Sequence, residues 1–150
     1  MGRKYTFRNQ EKIYFVTFTV IHWIDIFIRD SYRDILYESI SYCQREKGLE
    51  VYAYCIMTNH IHMIIGNKGE NGFSDIVRDL KSYTSRNIRK EIENSDQESR
   101  KSWIMWLMRK AGFQNKRNKD FQFWQQHNRP IELSTNTMLE QRLNYIHNNP

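Results

Sequence analysis

The segment that most constrains the fold is residues 52–65, where two apolar, β-prone runs flank the short polar link Thr58-Asn59. A two-residue link between such runs predicts a β-hairpin, although Thr-Asn is a weaker turn signal than Asn-Gly. The second run opens with His60 and His62. Because side chains alternate between the faces of a strand, both imidazoles are expected on one face, where they could bind one divalent metal ion.

The pattern around this hairpin predicts an α+β fold. Residues 13–20 are rich in β-branched and aromatic side chains, which is typical of a central strand. An apolar stripe at helical spacing over 32–43 predicts a helix that Asp30 or Ser31 caps and Gly48 ends. Further helices are predicted over 73–92, within 99–111 and from Thr137 to the end. The last of these begins with a capping box, Thr137-x-x-Glu140.

The order β-α-β-β-α predicts a ferredoxin-like sandwich, in which two helices cover one face of an antiparallel sheet. A fourth strand is needed to complete that sheet. The segment 121–133 would supply it, or another chain would.

The composition fits one domain over residues 1–150 with a nucleic-acid partner. Lys plus Arg outnumber Asp plus Glu by 23 to 17, which suits a polyanion and equally an ordinary basic soluble protein. Two cysteines are too few for a disulfide scaffold. Because no apolar run approaches the roughly 20 residues of a membrane span and no secretory signal is evident, we expect a cytoplasmic protein without a membrane partner.

The second helix carries a basic and hydroxyl-bearing face that suits contacts with phosphate. Its members share a face other than the apolar stripe of the predicted helix: Arg78, Ser82, Arg86 and Arg89. Lys81 is a further candidate for a phosphate contact. An ordinary solvated helix face explains these residues equally well.

The last helix offers a nucleophile and a further metal ligand. Tyr145 and Asn149 are four residues apart, so they share one helix face. Asn149 can give an amide oxygen to Mg²⁺ or Mn²⁺, and Tyr145 can attack a phosphate with its phenolic oxygen. Taken singly, Tyr145 also fits a packing role and Asn149 a helix C-cap before Pro150.

Four motifs in this order resemble the single-tyrosine transposases of the IS200 type, in particular the branch associated with repetitive extragenic palindromes. They are Thr-Asn-His-Ile-His at 58–62, Leu-Lys-Ser-Tyr-Thr at 80–84, Phe-Trp-Gln at 123–125 and Tyr-Ile-His-Asn-Asn-Pro at 145–150. The resemblance runs from the first predicted strand to Pro150. Members of this family belong to the His-hydrophobe-His nucleases.

The resemblance implies a specific activity. His60 and His62 would bind a divalent metal, Mg²⁺ or Mn²⁺, with Asn149 as a third ligand. Tyr145 would attack a DNA phosphate, keep the 5′-phosphate and free a 3′-hydroxyl. The substrate would be single-stranded DNA with a hairpin, and the partners include a second copy in a homodimer, although the palindrome-associated branch contains monomers. Family members usually continue past the Asn-Pro, so this chain is expected to stop early.

Two other interpretations compete with this one. A non-catalytic module would bind single strands by stacking bases on Phe15, Tyr52 and Tyr54 of a ferredoxin-like sheet. A zinc site would combine Cys55 with the two histidines, with no obvious fourth ligand.

Overall fold

The fold is built on an antiparallel sheet in which the histidine-bearing strand is one of the two inner strands. A computed structural model describes residues 7–115 and 120–148. Its strands are β1 (Tyr14–Thr19), β2 (Leu49–Ile56), β3 (His60–Asn67) and β4 (Ile131–Glu132). The order across the sheet is β2-β3-β1-β4, and every neighbouring pair is antiparallel. The predicted ferredoxin-like α+β fold is therefore confirmed, and the 121–133 segment supplies the fourth strand.

The described residues also form four α-helices: α1 (Asp30–Glu46), α2 (Phe73–Asn94), α3 (Lys101–Gln114) and α4 (Asn136–Asn148). None of the helices in the described ranges combines the length and the apolarity that crossing a bilayer requires. Gly48 follows α1 with a φ of +79°, a conformation that glycine adopts without steric cost. That turn brings the chain directly into β2.

Helices α1 and α2 pack side by side on one face of the sheet, here called the α1/α2 face. Alternate strand residues point to it because side chains in a strand alternate between faces. They form the main core together with apolar side chains of α3, and the members on the two inner strands β1 and β3 are Tyr14, Val16, Phe18, Ile61, Met63 and Ile65. Burial of this apolar set is the main source of the stability of the fold.

Of the helices in residues 7–115 and 120–148, α4 is the one that packs on the opposite face, here called the α4 face. A second, smaller cluster of buried residues lies there: Phe15, Ile64, Leu133 and Ile146. Partly buried side chains of α4, among them Leu139 and Leu143, complete the contact. The two faces of the sheet are therefore covered by separate clusters, and the histidine face is the one that α4 covers.

Two predicted helix starts are wrong. Helix α1 begins at Asp30 after an Arg29 that makes no side-chain cap, and Asp30 instead pairs with Arg33 inside the first turn, where an acidic group suits the helix dipole. Helix α4 begins at Asn136, and the backbone N–H of Met138 donates to Thr135 Oγ1 at 3.1 Å. The capping hydroxyl is thus two residues before Thr137.

Candidate active site

The alternation of β3 brings both histidines to the α4 face. Ile61 and Met63 are fully buried in the main core, and His60 and His62 point the other way. The centroids of the two imidazole rings are 4.8 Å apart. The two rings therefore lie close enough to share one small ligand.

His62 is the more enclosed of the two imidazoles, with 7% of its surface exposed. Phe15 of β1 stacks on it with ring centroids 5.3 Å apart, and Thr17 Oγ1 lies 3.0 Å from its Nδ1. Burial, followed by the positive charges of His60 and Arg142, lowers the pKa of His62 to about 4. His62 is therefore neutral at pH 7, and when Nδ1 donates to Thr17, Nε2 keeps a lone pair for a metal.

His60 is oriented by its chain neighbour, Asn59. The Asn59 amide donates from Nδ2 to the backbone oxygen of Trp23 at 3.3 Å, which turns its Oδ1 toward His60. That oxygen lies 2.7 Å from His60 Nδ1 and can only accept, so Nδ1 carries the proton and Nε2 is the free nitrogen. Burial also lowers the pKa of His60, which favours the same neutral form.

The turn that holds Asn59 is strained, and the sequence did not reveal this. His22 and Trp23 both have positive φ values, 54° and 51°. Each left-handed residue that is not glycine costs about 1–2 kcal/mol. Hydrogen bonds from Trp23 N to Val20 O and from Asn59 to Trp23 O offset this cost. Backbone strain beside a candidate metal ligand is typical of functional sites.

Helix α4 brings Tyr145 to the same place. Its ring lies edge-on to His62 with centroids 5.3 Å apart, and it also contacts Phe15. The side chain is 47% exposed, so the phenol is open to a large substrate. Ile146, the next residue, is buried in the cluster of the α4 face and fixes the rotation of the helix.

Arg142 is a member of the site that sequence reasoning missed. It lies one helical turn before Tyr145, with its guanidinium 4.7 Å from the centre of the Phe15 ring. Its charge reaches His62, as the lowered pKa of that imidazole indicates. The i−3 spacing from Tyr145 is the sequence signal by which it could have been found.

Two neutral, oriented imidazoles fit a divalent metal ion that accepts nitrogen ligands. Asn149, the predicted third ligand, lies outside the described residues. Within the described part of the chain, no three His, Cys, Asp or Glu side chains come together as a ligand set, so Cys55 does not complete a zinc site with the two histidines.

The five predicted DNA contacts lie on α2, on the other side of the sheet from the histidines. Ser82 and Arg86 are exposed, and Arg78 pairs with Asp75 and Asp79. The Arg89 guanidinium lies over the Phe121 ring and forms an ion pair with Glu93.

Lys81, the fifth of them, is turned inward. Its Nζ donates to Gln125 O at 2.8 Å and to Asn128 Oδ1 at 2.7 Å, and burial lowers its pKa to about 8. The same Asn128 accepts from the backbone N–H of Thr17 through its carbonyl oxygen. Lys81 therefore fixes the segment that runs beside the strand of Phe15 and Thr17.

The stacking platform of the non-catalytic alternative is not assembled. Phe15 is 3% exposed beneath His62 and Arg142. Tyr54 contacts Tyr37 of α1 and so lies on the α1/α2 face. Since Phe15 and Tyr54 point to opposite faces of the sheet, these residues do not form one surface on which successive bases could stack.

Comparisons with known proteins point in one direction. A family model described as IS200-like transposase matches residues 12–108, a span that includes both histidines and ends before α4. A solved REP-associated tyrosine transposase bound to a REP hairpin is 14% identical, with a TM-score of 0.70 over 100% of this chain and 73% of that one. A putative transposase from Deinococcus radiodurans R1 is 17% identical, with a TM-score of 0.53 over 99% of this chain and 95% of the other. No curated protein matches the chain.

Proposed function

The chain belongs to the IS200-like transposase family, and we propose that it cuts and rejoins single-stranded DNA next to a hairpin, with Tyr145 as the nucleophile. The observation that carries this proposal is the edge-on contact of the half-exposed Tyr145 ring with His62, at 5.3 Å between centroids. The likeness to a transposase solved with a REP hairpin supports hairpin-bearing DNA as the substrate.

In this proposal His60 and His62 would hold the metal through their Nε2 atoms, with Asn149 as the third ligand. A bound Mg²⁺ or Mn²⁺ would polarise the scissile phosphate and offset its negative charge. Thr17 and Asn59 hold the two rings in place, and the Asn59 amide oxygen, which can only accept, keeps the proton of His60 on Nδ1 and leaves its Nε2 free. Arg142 adds a fixed positive charge on the same face, where the phosphate must approach Tyr145.

The chemistry is a transesterification in two steps. The phenolic oxygen of Tyr145 forms a bond to phosphorus, and the bond from phosphorus to the 3′-oxygen of the preceding nucleotide breaks. That oxygen takes up a proton to match the one that the phenol loses, which leaves a 5′-phosphotyrosine and a free 3′-hydroxyl. Attack of a 3′-hydroxyl on the phosphotyrosine then reverses the exchange, so a strand is rejoined without an external energy source.

The remaining predictions carry over to this proposal as they stand. Ser82 and Arg86 are exposed on α2 and suit contacts with the phosphates of the bound DNA. The roles of Arg78, Lys81 and Arg89 in DNA binding also stay predictions, as do the homodimer and a single catalytic domain over residues 1–150.

The test is covalent capture of labelled DNA in the presence of Mn²⁺. Wild-type protein should form a denaturation-resistant adduct with a hairpin-bearing single strand, and Tyr145→Phe should form none, because it lacks the attacking oxygen. Tyr54→Phe is the matched control, since Tyr54 is 49% exposed and lies on the other face of the sheet. An adduct that persists in Tyr145→Phe rules out this nucleophile.

A second variant separates catalysis from binding. His60→Ala combined with His62→Ala should abolish adduct formation and leave binding of the same DNA largely intact. Loss of binding to the same extent as cleavage would contradict a metal role for the pair.

A further inference from the structure

An open groove of about 800 Å³ lies between the C-terminal end of α2 and the outer side of α3. The candidate active site does not use it. Its lining combines aromatic rings with charged side chains, the most prominent being Glu93, Lys101, Trp106, Arg109, Lys110 and Phe113. We call it the α3 groove.

The aromatic rings of the α3 groove face solvent, whereas another side of the same helix packs into the core. Ile104 and Met108 pack into the main core, whereas Trp106 and Phe113 are 56% and 75% exposed. Because they are seven residues apart, the two rings lie on one side of α3, two turns from each other. Large exposed rings repeated along one side of a helix indicate a surface that contacts a partner.

The charge of the groove favours an anionic partner. Three cations line it, Lys101, Arg109 and Lys110, against the single carboxylate of Glu93. That carboxylate is already shared by Arg89 and Arg109, each at 3.8 Å. Lys110 Nζ lies 5.0 Å from the centre of the Trp106 ring, so a cation and a ring face are presented together.

We propose that the α3 groove binds single-stranded DNA that continues from the hairpin, with bases stacked on Trp106 and Phe113 and phosphates beside Lys101, Arg109 and Lys110. A single strand offers open base faces and one phosphate per base, which matches rings interleaved with cations. A duplex hides its base faces inside the stack, and an acidic peptide offers no series of flat faces. The inference rests on the proposed function only in taking DNA as the strand.

A chain of contacts connects α3 to the hairpin that carries the histidines. Helix α3 contacts the Ile21–Trp23 turn, and Asn59 joins that turn to His60 through the Trp23 carbonyl. A strand leaving the candidate active site can therefore pass this turn and reach α3.

The test compares two labelled oligonucleotides, a hairpin alone and the same hairpin with a ten-nucleotide single-stranded extension, by fluorescence anisotropy in EDTA. Trp106→Ala and Phe113→Ala should each weaken binding of the extended oligonucleotide about ten-fold, the typical effect of removing one stacking ring. Binding of the plain hairpin should not change. Trp103→Ala is the matched control, since Trp103 is 52% exposed on the same helix and does not line the groove.

Three results would overturn the inference: equal losses for both oligonucleotides, an effect of Trp103→Ala as large as that of Trp106→Ala, or no loss in the groove variants. Displacement of the extension by a poly-glutamate peptide at equal charge would also overturn it, in favour of a protein partner. Because EDTA removes metal-dependent cleavage, failure of the Tyr145 adduct assay is read independently of this measurement.

Discussion

The hairpin that carries the histidines and the helix that carries the tyrosine are held to the molecule in different ways. Strand β3 is hydrogen-bonded to a neighbour on each side, and His62 is 7% exposed between Phe15 and Tyr145. Helix α4 rests on the sheet through the small cluster of the α4 face, and among its described residues Ile146 is the buried one. Tyr145 itself is half-exposed.

This difference indicates a division of labour within the site. The ladder of the sheet fixes the imidazoles before any substrate arrives, as a metal site requires. The nucleophile is presented by an element with few buried apolar contacts, which should open at a lower free energy than the sheet.

The largest effect is expected from detaching α4 from the sheet. Ile146→Ala removes its buried anchor and should cost about 2–5 kcal/mol, a loss confined to the helix. Hydrogen exchange should then rise over Asn136–Asn148 and stay unchanged in β1 and β3, while adduct formation falls. Ile92→Ala, at a buried position of α2, is the matched control and should raise exchange across the whole main core. An equal rise in hydrogen exchange in α4, β1 and β3 of Ile146→Ala would contradict the separate docking of α4.

Acidification should lower the free energy of unfolding through protonation of His62. Its pKa is lowered from 6.5 unfolded to about 4 folded, so the folded state binds fewer protons and its stability is fully present above pH 6.5. As the pH falls from 6.5 to 4, about 3 kcal/mol of the free energy of unfolding should be lost. Urea titrations in EDTA measure this, and His62→Gln should show a smaller loss. Equal losses in both proteins would mean that His62 is not buried as described.

Removing the hydroxyl of Thr17 tests how much one hydrogen bond to His62 contributes to metal affinity. Thr17→Val keeps the shape and removes the oxygen at 3.0 Å from His62 Nδ1, so Mn²⁺ should bind about 10–100-fold more weakly. Thr19→Val is the matched control, because Thr19 is two residues further along β1 and pairs with His60 in the register of the sheet. Calorimetric Mn²⁺ titration gives both affinities. If the Thr19 variant loses as much affinity as the Thr17 variant, the hydrogen bond is not what orients His62.

The smallest expected effect is at the cap of α4. Thr135→Ala removes the hydroxyl that accepts from Met138 N and should cost the helix about 1 kcal/mol. Exchange in the first turn of α4 should rise, with little change in β3. Thr137→Ala, at the residue that the capping-box pattern selects, should have a smaller effect. A larger effect of Thr137→Ala than of Thr135→Ala would instead support Thr137 as the capping residue, as the sequence predicts.

The fold was predictable from sequence because its signals are local. The apolar, β-prone runs of β1 and β3, the apolar stripes of α1 and α2, and Gly48 after α1 each depend on a short run of residues. Those signals also place the two histidines on one face. The start of α4 was missed because Thr135 and Thr137 carry the same hydroxyl, and only the path of the backbone decides which one caps.

The supporting residues of the site were not predictable in the same way. Asn59 orients His60 by bonding to Trp23, whose left-handed turn lies 36 residues away in sequence. Lys81 is a residue type that commonly contacts phosphate, yet its side chain is buried against the 125–128 segment. Helical periodicity does not reveal that partner. Contacts between distant parts of a chain depend on the assembled fold, so they appear only with the structure.

The most direct test of the central claim is a crystal structure with Mn²⁺ and a hairpin-bearing single strand, with data collected near the manganese absorption edge. We expect one anomalous peak within coordination distance of Nε2 of both His60 and His62, with the Tyr145 oxygen facing the DNA phosphate bound beside it. An empty site between the imidazoles at saturating Mn²⁺, or a phosphate bound away from Tyr145, would contradict the account.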